Sequence, residues 1–117
     1  MSTNITQTKT LTVLAFYPGK PPVVEQMLPG LEAMQAFVGG YIEAVPFTAD
    51  ATGAAMLDVI CNEEGKLDGL PFNRRFGTHD ILCGNFYVSK VDSDGEAVSL
   101  TPEDIAIATA YFKGAEV

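Results

Sequence analysis

Glycine and proline divide this chain of 117 residues into short apolar runs, and that division most constrains its fold. Pairs such as Pro18-Gly19, Gly39-Gly40 and Asp94-Gly95 separate runs that are rich in β-branched and aromatic residues. Runs of this kind are typical of β-strands joined by tight turns. With 47% hydrophobic residues, the chain is expected to form one domain around a single core.

The pattern predicts an α+β domain over residues 10–114, preceded by a flexible N-terminal lead-in at 1–9. Strands are predicted at 10–17, 41–48, 54–61, 81–91 and 97–100, with a short edge segment at 23–27. Helices are predicted at 29–38, ended by Gly39-Gly40, and at 102–112, begun by Thr101-Pro102. We therefore expect an antiparallel sheet of four or five strands with two helices packed on one face. The opposite face is then expected to be buried in a homodimer.

Polar and turn-forming residues concentrate between Cys61 and Phe76. Residues 62–79 contain three acids and three bases, so the rest of the chain carries the whole net charge of −8. Arg74 and Arg75 lie side by side there, and the planar fork of an arginine suits carboxylate or phosphate groups. The alternative is an exposed hairpin whose acids and bases pair with one another.

Eight residues are candidates for binding an anionic, nucleotide-like ligand. Amides and backbone N–H groups would contact a phosphate, glutamates would accept from ribose hydroxyls, and the arginines and lysine would supply positive charge. The candidate residues are Gln35, Glu43, Asn62, Glu63, Lys66, Asn73, Arg74 and Arg75. Because adjacent residues of an extended segment diverge, only one of the two arginines is expected to face the site.

Composition argues against several other classes of protein. A pI near 4.3 disfavours a nucleic-acid or anionic-membrane surface. Cys61 and Cys83 are expected to be free, buried thiols, and with His79 as the single histidine we expect neither a metal nor a cofactor. The polar N-terminus lacks a signal-peptide core, which predicts the cytoplasm as the location.

Several motifs together resemble a family of small domains of unknown function from bacteriophages, plasmids and other mobile elements. They are the VGGYIE stretch at 38–43 and the NEEGKL, GLP and NRR stretches between residues 62 and 75. The resemblance covers nearly the whole chain, from about Val13 to Tyr111. It implies a viral or mobile-element origin, for which a role against host defence is typical, but it supplies no catalytic residues.

The sequence thus favours a non-enzymatic protein of the host cytoplasm that sequesters a small anion, such as a cyclic nucleotide or an ADP-ribose derivative. The alternative is an acidic inhibitor that occupies a basic groove on a host nuclease or regulator. Catalysis is a third interpretation, with Cys61, Glu63, Glu64, His79 and Asp80 as the available acids, bases and nucleophile. The adjacent glutamates, however, are expected to diverge rather than converge on one substrate.

Overall fold

The computed structural model describes residues 9–117, so the predicted N-terminal lead-in lies outside the described residues except for Lys9. The described elements follow in the order β1 (Leu11–Phe16), β2 (Val23–Met27), α1 (Leu31–Val38), β3 (Ile42–Ala49), β4 (Met56–Asn62), β5 (Phe72–Phe76), β6 (Asp80–Cys83), β7 (Phe86–Val91), β8 (Ala97–Val98) and α2 (Pro102–Tyr111). No helix among them is both long and apolar enough to cross a membrane.

The main sheet is antiparallel and has the strand order β2-β1-β7-β4-β3, with β8 paired to the end of β7. β3 and β4 form the hairpin that the sequence predicted. β5 and β6 form a separate two-stranded sheet. The α+β class is confirmed, although the main sheet has six strands rather than four or five.

Each face of the main sheet carries its own hydrophobic cluster and one helix. Successive side chains of a strand point to opposite faces, so Leu14 and Phe16 belong to one cluster and Val13 to the other. Ala108 of α2 packs in the first cluster and Val38 of α1 in the second. The predicted packing of both helices on one face is therefore not confirmed. Because each face carries a helix, the expected homodimer no longer follows from an uncovered face.

Gly84 divides the run that the sequence predicted as one strand over 81–91. Its φ of 80° turns the chain, so that β6 and β7 enter different sheets. A Cβ atom at this position would lie 2.7 Å from Cδ1 of Leu70. Gly84 is therefore a point of close approach between the backbone and Leu70, and the prediction of a single strand over 81–91 was wrong.

β5 lies inside the stretch that the sequence predicted as turn-rich. Turns occupy 63–69, whereas Phe72–Phe76 pairs with β6. The register shifts between Phe72 and Arg74, and this irregularity lets Asn73 and Arg74 both be buried. The sequence analysis missed this strand because two consecutive polar residues are buried in it. The alternation of apolar and polar residues that indicates a half-buried strand is therefore absent.

The end of α1 and the start of α2 lie where the sequence predicted them. α1 ends at Gly39, whose φ of 78° is left-handed and whose N–H donates to the carbonyl of Gln35 at 2.9 Å. α2 begins with a capping box between Thr101 and Asp104. α1 is shorter than expected, because it starts at Leu31 and leaves Pro29 outside.

Candidate functional site

The two adjacent arginines of β5 have opposite environments. Arg74 is 1% exposed and heads the largest fully buried side chains of the described residues. Arg75 is exposed, and its Nη1 donates to the carbonyl oxygen of Glu116 at 3.2 Å. The side chains thus diverge, as strand geometry predicted.

Carbonyl and amide oxygens, rather than carboxylates, hold the Arg74 guanidinium. Nη1 donates to the backbone oxygen of Asn73 at 3.2 Å and to its Oδ1 at 2.8 Å, and Nη2 donates to the backbone oxygen of Lys20 at 2.7 Å. Cζ lies 5.3 Å from the centroid of the Phe16 ring. Among residues 9–117, no carboxylate oxygen lies within 4.0 Å of Arg74, and its buried Nε has no acceptor. A buried cation without a counter-ion is costly, because desolvation is not repaid by attraction.

A small pocket, here named the Arg74 pocket, is lined by Arg74 together with Phe16, Pro22, Thr109, Phe112, Lys113 and Glu116. Its volume is about 120 Å³, which corresponds to roughly four water molecules. Lys113 is a second cation in the lining. Glu116 lies opposite Arg74 in an antiparallel bridge, so their side chains project to the same side of the small sheet.

Asn62 and Asn73 use their amides to fix the backbone. Nδ2 of Asn73 donates to the carbonyl oxygens of Phe16 at 3.0 Å and Gly84 at 2.8 Å. Nδ2 of Asn62 donates to the carbonyl oxygen of Val38 at 3.1 Å, and its Oδ1 accepts from the N–H of Glu64 at 2.8 Å. Both predicted ligand-binding amides are therefore engaged in internal hydrogen bonds.

A second concavity, named the acidic cleft, has a volume of about 300 Å³. Its charged lining residues are Glu43, Glu63, Glu64, Asp80 and Lys66. Lys66 forms an ion pair with Asp80, and both side chains are more than half exposed. Four acids against one lysine make the cleft electronegative, which disfavours the anion that Lys66 was predicted to bind.

The structure therefore divides the eight predicted residues between separate places. Glu43, Asn62, Glu63 and Lys66 line the acidic cleft, and Arg74 lines its own pocket. Gln35 lies half-buried on α1 and lines neither of these two concavities. Lys113 and Glu116 were missed, because no local pattern indicates that the end of the chain reaches β5.

Two thiols line the acidic cleft, but neither is activated as a nucleophile. Burial, followed by the charges of Glu43 and Asp80, raises the pKa of Cys61 to about 11. Burial also raises the pKa of Cys83. Since the thiolate is the reactive form, protonated thiols do not favour covalent catalysis here.

A family model described as domain of unknown function (DUF3846) matches residues 11–113. The chain belongs to this DUF3846 family. The matched range includes every element from β1 to α2. It also includes the residues that line the Arg74 pocket and the acidic cleft, except Glu116. For this DUF3846 domain, no curated protein and no solved structure gives a match.

Proposed function

We propose that this domain is a non-enzymatic binder of a small anionic ligand and that Arg74 holds the anion. The observation that supports the proposal is the buried guanidinium, which has no carboxylate partner and an unsatisfied Nε among the described residues. An anion in the Arg74 pocket would supply the missing counter-charge. This site is smaller than the one predicted from sequence, because only Arg74 of the eight candidates lines it.

The unused donors of Arg74 suit a group with two oxygens. A guanidinium has five N–H donors, and Arg74 uses two at Nη1 and one at Nη2. Nε–H and the second N–H of Nη2 remain, and in an arginine these two nitrogens lie on the same edge of the planar group. A carboxylate or phosphoryl group accepts from both at once when the pocket lining moves aside, because Nε itself is buried. Lys113 adds positive charge at the rim.

The pocket admits one such group rather than a whole nucleotide. Sites for complete small molecules are usually about 300–1,000 Å³, whereas this pocket is about 120 Å³. A nucleotide-derived ligand would therefore insert a phosphoryl group and leave its base and sugar outside.

For the biological role, we propose sequestration of such a ligand against host defence. Native mass spectrometry of protein from phage-challenged cells tests that role by the retention of a small-molecule mass.

Thermal unfolding with added anions tests the binding step. Inorganic phosphate, acetate, cyclic nucleotides and ADP-ribose are titrated in turn against the protein in a chloride buffer. At a concentration of 100 times Kd, a ligand of the folded state stabilises it by about 2.7 kcal/mol. For a domain of this size that raises Tm by roughly 10 °C. No shift with any of these anions would overturn the proposal.

Variants at the rim separate binding from folding. Lys113 is exposed, so Lys113→Gln should keep the fold and weaken anion binding, whereas Lys9→Gln makes the same charge change outside the pocket. Glu116→Gln removes a negative charge from the pocket lining, so it should tighten anion binding severalfold. If Glu116→Gln instead lowers Tm and leaves anion affinity unchanged, Glu116 is the internal counter-ion and the proposed ligand site is wrong.

A further inference from the structure

An open groove adjoins the acidic cleft on the side of β3 and α2. This groove, named the aromatic groove, has a volume of about 770 Å³. Phe47, Phe76 and Tyr111 line it together with His79, and Lys66 and Asp80 line both the groove and the cleft. The two concavities therefore form one continuous surface, separated by an exposed ion pair.

The three rings contact one another and form an aromatic platform. The ring centroids of Phe47 and Tyr111 lie 4.6 Å apart, and Phe76 lies 6.2 Å from each of them. Phe47 and Phe76 also pack against the main core, which fixes their positions. Tyr111 remains 43% exposed, so part of this platform faces solvent.

The charge beside the platform is strongly negative. Glu43, Glu63, Glu64 and Asp80 line the cleft, and Lys66 is the only basic side chain in its lining. Aromatic faces attract ammonium and guanidinium groups, and nearby carboxylates add to that attraction. The same charges repel phosphate, so this surface is unsuited to the anion of the Arg74 pocket.

We propose that the aromatic groove and the acidic cleft together bind a basic segment of a partner protein. A lysine or arginine of that segment enters the cleft, and neighbouring apolar side chains lie on the platform. The groove alone is larger than a single side chain requires, which favours a chain segment over a small free cation. The segment binds through its side chains, because Pro46 in the edge strand β3 removes a backbone donor that strand addition needs.

This surface is independent of the proposed anion site. No residue lines both the Arg74 pocket and either of these two concavities. At constant ionic strength, saturating phosphate should therefore leave peptide binding unchanged, and each proposal can fail without the other. Competition between phosphate and peptide would contradict a separate surface.

A labelled short peptide of lysine, arginine and leucine tests the proposal by fluorescence anisotropy, with glutamate in place of the basic residues as the control peptide. The double variant Glu63→Gln/Glu64→Gln should weaken binding of the basic peptide by about tenfold and flatten its salt dependence. Tyr111→Ser should weaken binding without changing the net charge. The control peptide should not bind.

The matched control is Glu32→Gln/Glu103→Gln, which removes the same charge from the exposed first turns of α1 and α2. This variant should bind the basic peptide within about twofold of the unchanged protein. Equal weakening by both double variants would show that the peptide responds only to net charge, and the proposal would be abandoned. The proposal also fails if the basic peptide does not bind.

Discussion

At the scale of single residues, Asn73 determines the position of Arg74. The Asn73 side chain is 1% exposed and links the carbonyl groups of Phe16 and Gly84, while its Oδ1 accepts from Arg74. Each of these groups is buried, so each would lose its partner if the amide were removed. Asn73 thus positions Arg74 for the proposed anion site, although it does not itself line the Arg74 pocket.

Asn73→Ala should lower the free energy of unfolding by about 3 kcal/mol, because it leaves buried polar groups unsatisfied. Urea denaturation measures this loss. The rise in the Tm of this variant on adding phosphate should also be smaller, since the Arg74 guanidinium loses its hydrogen bond to the side chain of Asn73. A loss below about 1 kcal/mol would mean that water replaces the amide.

At the scale of elements, Gly84 determines how the small sheet joins the main sheet. It combines a left-handed φ of 80° with a close approach to Leu70. Gly77 has a similar φ of 67°, but a Cβ atom there would meet nothing within 4 Å. A comparison of alanine substitutions at the two positions therefore distinguishes the cost of backbone strain from the cost of crowding against Leu70.

Gly77→Ala should cost about 1 kcal/mol of stability, from backbone strain alone. Gly84→Ala should cost at least about 1 kcal/mol more, because Leu70 must also move. In a Leu70→Ala background the extra cost should disappear, and denaturant titration of the four variants measures it. An equal cost for both glycines in the original background would show that crowding at Gly84 is unimportant.

At the scale of the whole molecule, one buried ion network connects distant parts of the chain. Lys90 of β7 contacts Asp50 at 3.0 Å and Asp104 at 2.8 Å. Hydrogen bonding from Lys90 lowers the pKa of Asp50. Burial acts to raise the pKa of Asp104, but hydrogen bonds from Lys90 and from backbone N–H groups outweigh it and lower that pKa. The loop after β3, the central strand β7 and the start of α2 are thereby held together.

Stability should therefore fall in acid. Both carboxyls have a lower pKa in the folded state than in the unfolded chain, where it is about 3.9. Their contribution is complete above about pH 5 and is lost as the pH falls towards the folded pKa. Urea denaturation between pH 7 and pH 2 should show this decline.

Lys90→Met should cost about 3 kcal/mol at pH 7, because it leaves two buried carboxylates without a cation. The cost should shrink towards pH 2, because without Lys90 the two buried carboxyls take up protons and become neutral as the pH falls. Lys66→Met is the matched control, and it should change stability little, since the Lys66–Asp80 pair is exposed. A cost for Lys90→Met that is independent of pH would show that the network stabilises by packing rather than by charge.

The sequence by itself determined the features that depend on neighbouring residues. It predicted the α+β class, the hairpin of β3 and β4, the left-handed end of α1, the cap of α2 and the divergence of the two arginines. Each follows from backbone geometry or from a side chain that bonds within a few residues. The eight site residues were chosen on the same local basis. Their side chains can hydrogen-bond to an anionic ligand, but the structure places them around separate concavities.

Only the tertiary structure decided which of these residues come together. Asn73 meets a carbonyl group 57 positions away, and Arg74 meets one 54 positions away. Such contacts depend on strand pairing and on the turn at Gly84, neither of which a local pattern encodes. The pairing buried Arg74 without a carboxylate partner among the described residues, and it placed Glu43 and Glu63 in an acidic cleft. It also distributed the two helices over opposite faces of the sheet.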